Sequence, residues 1–241
     1  MSDKVIIGMS GGVDSSVAAY LLQQQGCDVM GVTLRLLSSC PAGSEALSSL
    51  SDEGEAQAVA SHLGIPHRTL DFSGQFHTQV IAPFIQCYEQ GRTPNPCIRC
   101  NRFIKFQALL EQARSLGYDA IATGHYARIE QDPGGRWLLK KAIHREKDQS
   151  YVLYSVTQEQ LAHTRLPLGG LSKEEVREFA LSQGLVNARK RDSQDICFVP
   201  DGDYASFIQR QTGREYPSGP FEDRQGQVLG THRGIIRYTL G

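Results

Sequence analysis

Short apolar runs alternate with helically spaced apolar residues along the first two-thirds of the chain. The run from Lys4 to Met9 is ended by glycines and predicts a buried strand, and Val13, Val17 and Leu21 predict a helix that ends at Gly26. Further strands are predicted at 28–34, 67–72 and 119–123, and helices at 55–63, around Pro83, and from Phe103 to Gly117. Because alternating strands and helices favour a parallel sheet covered on both faces, we expect a doubly wound α/β domain.

The pattern changes after this domain. Ser172 and Glu175 form a capping-box sequence that predicts the start of a helix. From Tyr204 onward, short β-like runs and the turn at 223–226 predict a small second α/β module. We therefore divide the chain into a main α/β domain at 1–165, a helical segment at 166–200 that carries Cys197 and the start of a small domain at 201–241.

The amino-acid composition excludes only a few classes of protein. The 241 residues are 40% hydrophobic and 21% charged with a net charge of −1, which is ordinary for a globular protein. No apolar run approaches the ~18 residues of a membrane span, and the polar N-terminus does not resemble a signal peptide, so we expect a cytoplasmic protein without a membrane partner. Six cysteines in a chain of this length do not predict a disulfide scaffold.

The most specific motif is the run Ser10-Gly11-Gly12-Val13-Asp14-Ser15-Ser16, between the first strand and the first helix. Glycines there let the backbone approach a phosphate, hydroxyls can donate hydrogen bonds to it, and Asp14 could hold Mg²⁺. The run is neither a Walker A loop nor a dinucleotide fingerprint. It resembles the PP-loop of ATP pyrophosphatases, and this resemblance implies that ATP is cleaved between its α and β phosphates.

Two of the six cysteines lie in the turn Thr93 to Asn101, just before a predicted helix. We expect the helix N-terminus and the neighbouring Arg99 and Arg102 to lower the pKa of these thiols, Cys97 and Cys100. Cys197 lies far downstream, beside a basic run at 189–191. Part of a zinc site, a thioredoxin-like motif and an incidental pair remain alternatives.

Several motifs follow the loop in a specific order. They are Asn-Pro-x-x-x-Cys-Asn at 95–101, Thr-Gly-His-Tyr-Ala at 123–127, Lys-Asp-Gln-Ser-Tyr at 147–151 and Asp-Ser-x-x-Ile-Cys-Phe at 192–198. In this order, over the whole length, the chain resembles the tRNA-specific 2-thiouridylase family. The resemblance implies an adenine nucleotide α-hydrolase-like fold and a C-terminal β-barrel that is largely missing here. It also implies tRNA as partner, and a sulfur-donor protein or free sulfide as the sulfur source.

The resemblance also implies roles for individual residues. Cys100 would be the catalytic nucleophile, and Cys197 would carry the transferred sulfur as a persulfide. Asn95, Pro96 and Cys97 would approach the target base. Lys147, Asp148 and Gln149 would contact tRNA. ATP would be held by Gly8, Met9, Ser10, Gly11, Gly12, Val13, Asp14, Ser15, Leu34 and Gly124.

One position departs from the family pattern, because many members have Asp where this chain has Cys97. A third cysteine permits a different hypothesis, in which Cys97, Cys100 and Cys197 bind a 4Fe–4S cluster. A PP-loop ligase acting on another acceptor, and a nucleotide- or RNA-binding fragment with little activity, are further alternatives. Two basic runs, at 136–147 and at 189–191, predict phosphate contacts with RNA.

Overall fold

The computed structural model describes residues 3–37, 45–190 and 196–239, with the backbone alone for 45–51. Arg191 of the second basic run and residues 192–195 of the Cys197 motif lie outside the described residues. The strands are β1 (Lys4–Gly8), β2 (Asp28–Arg35), β3 (His67–Asp71), β4 (Ala120–Ala122), β5 (Ala127–Gln131), β6 (Trp137–Lys141), β7 (Thr164–Arg165), β8 (Gly219–Glu222) and β9 (Val228–His232).

The helical elements include two π-helical segments, in which backbone hydrogen bonds join residues five apart. These are His77–Ile81 and Cys100–Ala108, and short 3₁₀ turns occur at Arg145–Lys147, Ser150–Val152 and Ile235–Arg237. The α-helices are α1 (Val13–Gln24), α2 (Glu45–Leu63), α3 (Ser73–Phe76), α4 (Ala82–Glu89), α5 (Pro96–Arg99), α6 (Leu109–Ser115), α7 (Gln158–Ala162), α8 (Lys173–Ser182) and α9 (Tyr204–Thr212).

Five strands form one parallel sheet in the order β3-β2-β1-β4-β7. Val5 and Ile7 of β1 pack on one side, in a core shared with α1, α2 and α8. Ile6 points to the other side and packs with Leu110 of α6. Because successive residues of a strand face opposite ways, both faces of the sheet are covered. The predicted doubly wound α/β fold is confirmed.

Some elements differ from the sequence prediction. The helix expected from Phe103 begins instead at Pro96, because the Asn95 side chain accepts a hydrogen bond from the Cys97 N–H and proline suits the first helical position. Thus α5, the π-helical segment Cys100–Ala108 and α6 follow one another without a break. The pattern did not predict β7 or the antiparallel β5–β6 hairpin, and α2 begins ten residues earlier than expected.

The downstream part contains the predicted capping box, in which the Ser172 hydroxyl accepts from the Glu175 N–H and the Glu175 carboxylate accepts from the Ser172 N–H. Phe207 of α9 packs in a core that also contains Phe84 of α4 and Cys100. The proposed domain boundaries remain a prediction. Within the described ranges, no helix is both long enough and apolar enough to span a bilayer.

Candidate active site

The loops that follow β1 and β4 lie side by side at the carboxyl edge of the parallel sheet. Strand β1 has β2 on one side and β4 on the other, so the chain order reverses around it. In open parallel sheets, ligands bind beyond the carboxyl ends of the strands at such a reversal. The serine- and glycine-rich loop after β1, and Thr123 to Ala127 after β4, begin at this edge.

The loop after β1 has the geometry of an anion site. Gly11 has a φ of +70°, and a Cβ there would lie 2.5 Å from the Asp52 carbonyl oxygen, so only glycine fits. Gly12 precedes α1 and provides no side-chain cap. The first N–H groups of a helix lack intrahelical acceptors, and together with the helix dipole they attract anions.

The residues predicted to bind ATP lie around this loop. A Cβ on Gly8 would be 3.6 Å from Leu34 Cδ1, so these two residues are neighbours. Gly124 packs against the start of α1 so closely that a Cβ would lie 2.8 Å from the Ser15 nitrogen. The ten residues therefore meet at the carboxyl ends of β1, β2 and β4, and their role in ATP binding remains a prediction.

Asp14, the acidic residue of the loop, already has two partners. The Lys173 ammonium lies 2.6 Å from Asp14 Oδ1, and the Tyr126 hydroxyl donates to the same oxygen at 2.9 Å. The hydroxyls of Ser15 and Ser16 both donate to the Gly12 carbonyl oxygen instead of pointing outward. Ser16 is fully buried, so it supports the loop from within.

The cysteine region is built from segments distant in the chain. Cys97 is exposed in α5, whereas Cys100 is buried at the start of the π-helical segment. Phe198, which follows Cys197, packs edge-on against Phe76 and Phe84 in the core that also contains Cys100. All three cysteines are free thiols. The fold therefore brings Cys197 next to the helix that carries Cys97 and Cys100.

The expectation of a lowered pKa is wrong for Cys100. Burial raises the pKa of this thiol to about 11, the Lys105 ammonium opposes the rise, and the nearby thiols of Cys197 and Cys97 add to it. Desolvation likewise raises the pKa of Cys197, although part of this residue is open to solvent. The prediction failed for Cys100 because desolvation of the buried thiol outweighs the positive charge of Lys105.

The two arginines expected to act on the thiols are directed elsewhere. Arg99 donates to the Gln79 carbonyl oxygen at 2.5 Å and also lies over the Phe103 ring. Arg102 lies over the same ring, 5.0 Å from its centroid. Lys105, five residues after Cys100, is the cation whose field reaches the thiols of Cys100 and Cys197.

A metal cluster at the cysteines is not supported by their arrangement. Among the residues that the structure describes, no three His, Cys, Asp or Glu side chains are placed to hold a metal ion. This applies to the iron–sulfur alternative at Cys97, Cys100 and Cys197 and to the zinc alternative.

Two of the three predicted tRNA-contacting residues, Asp148 and Gln149, are half-buried and form hydrogen bonds within the chain. Asp148 accepts hydrogen bonds from the Ala142 N–H at 2.8 Å and from the Ser150 hydroxyl at 2.7 Å. Gln149 pairs with Tyr126, since its N–H donates to the Tyr126 carbonyl oxygen and its side-chain oxygen accepts from the Tyr126 N–H. Lys147 ends the preceding 3₁₀ turn. Asp148 and Gln149 thus fix the position of this turn.

A series of hydrogen bonds connects the phosphate loop after β1 to the helix that carries Cys100. Asp14 bonds to Tyr126, and Tyr126 bonds to Gln149, which precedes the 3₁₀ turn Ser150–Val152. The Asn101 amide, next to Cys100, donates to the Val152 carbonyl oxygen at 3.3 Å. The connection is made entirely of hydrogen bonds and short backbone segments.

Sequence reasoning missed several residues of this region. His125 lies beside the Phe106 ring and shares a 2.7 Å hydrogen bond with the Thr123 hydroxyl. Burial and then Lys105 lower its pKa to about 3, so its ring is neutral at physiological pH. Tyr126, like His125, lies in the Thr-Gly-His-Tyr-Ala motif but was assigned no role, and Lys173 and Asn187 were missed because no local spacing relates them to the loop.

The predicted basic runs include residues with acidic partners. Lys140 pairs with Glu130 on the neighbouring strand. Lys190 contacts Asp52 and Glu55 of α2, each at 2.6 Å. These two lysines therefore contribute less positive field than the sequence suggested.

Comparison with known proteins identifies the family. Residues 3–201 match the family described as the tRNA methyl transferase HUP domain. The chain is 52% identical to the tRNA-specific 2-thiouridylase MnmA of Heliobacterium modesticaldum over all of its length and 64% of that protein. It is 50% identical to the protein of the same name from Clostridioides difficile, of which it covers 68%. The chain thus spans about two-thirds of the length of these relatives.

Two solved structures share the fold. The NMN synthetase of Francisella tularensis matches with a TM-score of 0.50 and 17% identity, over 90% of this chain and 79% of that one. A 4-thiouridine synthetase, solved as an RNA complex with bound ATP, matches with a TM-score of 0.52 and 19% identity, over 88% of this chain and 50% of that one. On its fold, its motifs and its close relatives, the chain belongs to the tRNA-specific 2-thiouridylase family.

Proposed function

We propose that this chain catalyses the ATP-dependent 2-thiolation of the wobble uridine in tRNA. The observation that carries this proposal is the hydrogen-bonded connection from Asp14 through Tyr126 and Gln149 to the helix of Cys100. It links a loop suited to phosphate with a pair of cysteines suited to sulfur transfer. The names of the relatives support the choice of uridine as acceptor.

The nucleotide half of the reaction belongs to the loop. Its backbone N–H groups and the start of α1 would hold the phosphates, and Asp14 would bind Mg²⁺. The uridine 2-carbonyl oxygen attacks the α phosphate, and pyrophosphate leaves. The carbonyl oxygen becomes part of an AMP ester, which turns a poor leaving group into a good one.

The sulfur half belongs to Cys197 and Cys100. The Cys197 thiolate attacks the outer sulfur of a persulfide on a donor protein, the donor's cysteine leaves as a thiolate, and Cys197 holds the transferred sulfur as a persulfide. The terminal sulfur attacks C2 of the base, and AMP leaves with the electron pair of the C–O bond. Cys100, whose thiol is protonated at rest because burial raises its pKa to about 11, gives up its proton to solvent; its thiolate then attacks the Cys197 sulfur, breaks the S–S bond and leaves the outer sulfur on the base. The resulting Cys100–Cys197 disulfide is reset by an external thiol reductant.

The tRNA would approach from the side of Asn95, Pro96 and Cys97, with Lys147 contacting its backbone. A single-stranded anticodon loop suits such a site, since its bases can be splayed into a pocket. Because cellular tRNA is modified and used in the cytoplasm, we place the reaction there.

A second candidate is a nucleotide- or RNA-binding chain with little activity. It is kept because the chain spans 64% and 68% of two relatives, whose names describe the whole proteins. A PP-loop ligase with another acceptor would not need Cys100 or Cys197.

The test is mass spectrometry of tRNA nucleosides after incubation with ATP and a sulfide or persulfide source. We expect 2-thiouridine with the wild type and a loss of at least about 1000-fold with Cys100→Ser or Cys197→Ser, because nucleophile losses cost that much. Cys87→Ser is the matched control, because Cys87 is a half-buried thiol on α4. Thiolation that survives both substitutions contradicts the relay. ATP–pyrophosphate exchange that does not depend on tRNA favours the ligase.

A further inference from the structure

Two exposed tyrosines lie on the turn that is hydrogen-bonded to the cysteine helix. Tyr151 is 63% exposed and Tyr154 is 70% exposed, whereas Val152 and Leu153 between them are buried. The backbone here forms a 3₁₀ turn, in which the Leu153 N–H donates to the Ser150 carbonyl oxygen. Because side chains three residues apart line up along such a turn, the two tyrosine rings lie on the same outer side of it.

The buried side of this turn is fixed to the helix that carries the cysteines. The Asn101 amide, itself buried, donates to the Val152 carbonyl oxygen at 3.3 Å. Val152 packs in one cluster with Phe106 of the π-helical segment. Ile98, next to Cys97, packs against the same cluster. The two tyrosines are therefore held at the edge of the cysteine region, on a turn whose packing involves other side chains.

The exposed rings differ from the other strongly exposed aromatic side chains. Phe221 and Tyr238, on and after the β8–β9 hairpin, contact each other with ring centroids 5.2 Å apart. Across the described residues, no second aromatic ring packs on Tyr151 or Tyr154. Leaving apolar ring surface in water is unfavourable, so a pair of exposed rings beside a reactive site favours a surface that binds a partner.

Unpaired RNA bases are the partner whose chemistry matches these rings. Proteins that bind single-stranded loops stack aromatic side chains on bases that have left the RNA stack. Lys147 precedes Tyr151 by four residues, and Arg102 is exposed on the cysteine helix directly after Asn101, so cations for phosphates are available nearby. An RNA that presents one base to the cysteines would bring neighbouring loop bases to the turn of Tyr151 and Tyr154.

We propose that Tyr151 and Tyr154 form a stacking platform for unpaired loop bases that flank the target uridine. This proposal rests on the proposed function, because it takes tRNA to be the substrate. It deepens that function by assigning base contacts to two residues outside 95–97 and 147–149, the ranges to which the family resemblance assigns contacts. Stacking on the rings would offset the base stacking that the RNA loses when the uridine leaves its loop.

The test compares dissociation constants for an RNA hairpin, whose loop is an anticodon loop with a wobble uridine, and for its stem extended as a blunt duplex. For Tyr151→Ala and for Tyr154→Ala we expect the hairpin to bind about 5- to 100-fold more weakly, as the loss of one base–aromatic stack predicts. Duplex binding should change by less than about 2-fold, because contacts with phosphates remain.

Three further variants serve as controls. Tyr151→Phe keeps the ring and should bind the hairpin as the wild type does, whereas Tyr151→Leu keeps an apolar side chain without a ring and should bind as weakly as Tyr151→Ala. Leu181→Ala is the matched surface control, because it removes an exposed apolar side chain from α8. Its hairpin affinity should equal that of the wild type.

The outcomes separate this proposal from the proposed function. Unchanged hairpin affinity in both alanine variants would overturn the platform while leaving thiolation intact, and slower sulfur transfer from a donor protein in those variants would assign the rings to a protein interface instead. Equal weakening of hairpin and duplex also contradicts stacking. If the alanine variants do not fold, the other two decide, because Tyr151→Leu that binds as well as Tyr151→Phe contradicts stacking. A wild-type chain that binds the hairpin no better than the duplex instead counts against the proposed function.

Discussion

The phosphate loop and the cysteine region differ in how they are assembled. The loop is contiguous in sequence, and its polar groups are already paired, as with Asp14 and the hydroxyls of Ser15 and Ser16. The cysteine region joins residues about a hundred positions apart and buries Cys100 without a full countercharge. The first region is therefore organised for its ligand in advance, whereas the second buries the Cys100 thiol and keeps it protonated, with Cys97 and Cys197 open to solvent.

We expect the largest effect from a substitution in the phosphate loop's most tightly packed neighbour, Gly124. In Gly124→Ala the new methyl would lie 2.8 Å from the Ser15 nitrogen and 2.9 Å from the Asp14 carbonyl carbon. The start of α1 must then move, which overpacking data put at about 1–3 kcal/mol of stability. We expect MgATP to bind about 100-fold more weakly, measured by calorimetry.

The control for this substitution is Gly74→Ala. Gly74 lies in α3, and no heavy atom lies within 4 Å of the position that a Cβ would take. Alanine also has a higher helix propensity than glycine, so the substitution should not disturb the fold. Unchanged MgATP affinity in Gly124→Ala would show that the loop tolerates displacement, and the contrast with the cysteine region would then disappear.

The contrast between a contiguous phosphate loop and a cysteine region built from distant segments also explains which features the sequence could predict. The strand, loop and α1 share a local pattern, so Gly8 to Ser15 could be assigned to one site before the structure. Alternating strands and helices also predict that β1 to β4 belong to a parallel sheet, but the order of the strands comes from the structure, and β7, with only two residues, is too short to leave a pattern.

The missing parts depend on long-range packing. Lys173 and Tyr126 reach Asp14 from positions 159 and 112 residues away, and no periodicity encodes such contacts. The lowered thiol pKa was predicted from helix polarity and adjacent arginines, but the burial of Cys100 comes from Phe198 and the α4 core. Sequence spacing gives the candidates; the tertiary fold sets their protonation.

An alkaline titration tests the protonated state of Cys100. Its pKa is about 11 in the fold and about 9 in the unfolded chain, so the thiol contributes stability that is complete below pH 9 and lost as the pH rises to 11. We expect the free energy of unfolding to fall by about 2–3 kcal/mol over this range. The measurement is urea denaturation at several pH values.

Cys100→Ala provides the reference, because it lacks the titrating group while keeping a small apolar side chain in the core. The difference between wild type and variant should be constant up to about pH 9 and then shrink. A difference that does not change between pH 8 and pH 11 would mean that Cys100 titrates normally and is not desolvated.

The smallest effect concerns Lys105, which connects the two cysteines electrostatically. In the π-helical segment, backbone hydrogen bonds join residues five apart, so Lys105 lies one turn beyond Cys100, where an α-helix would direct it about 140° away. Its ammonium lowers the pKa of both Cys100 and Cys197 against the effect of burial. Lys105→Gln should therefore slow alkylation of both thiols by iodoacetamide about 3- to 10-fold at pH 8, as expected for one nearby charge at effective protein dielectric constants.

Arg102→Gln removes a cation that lies over the Phe103 ring on the same helix, and its alkylation rates should stay within about 2-fold of wild type. Equal rates in Lys105→Gln and wild type would show that Lys105 does not act on the thiols, and the cysteine region would then be a desolvated pair without a cation of its own.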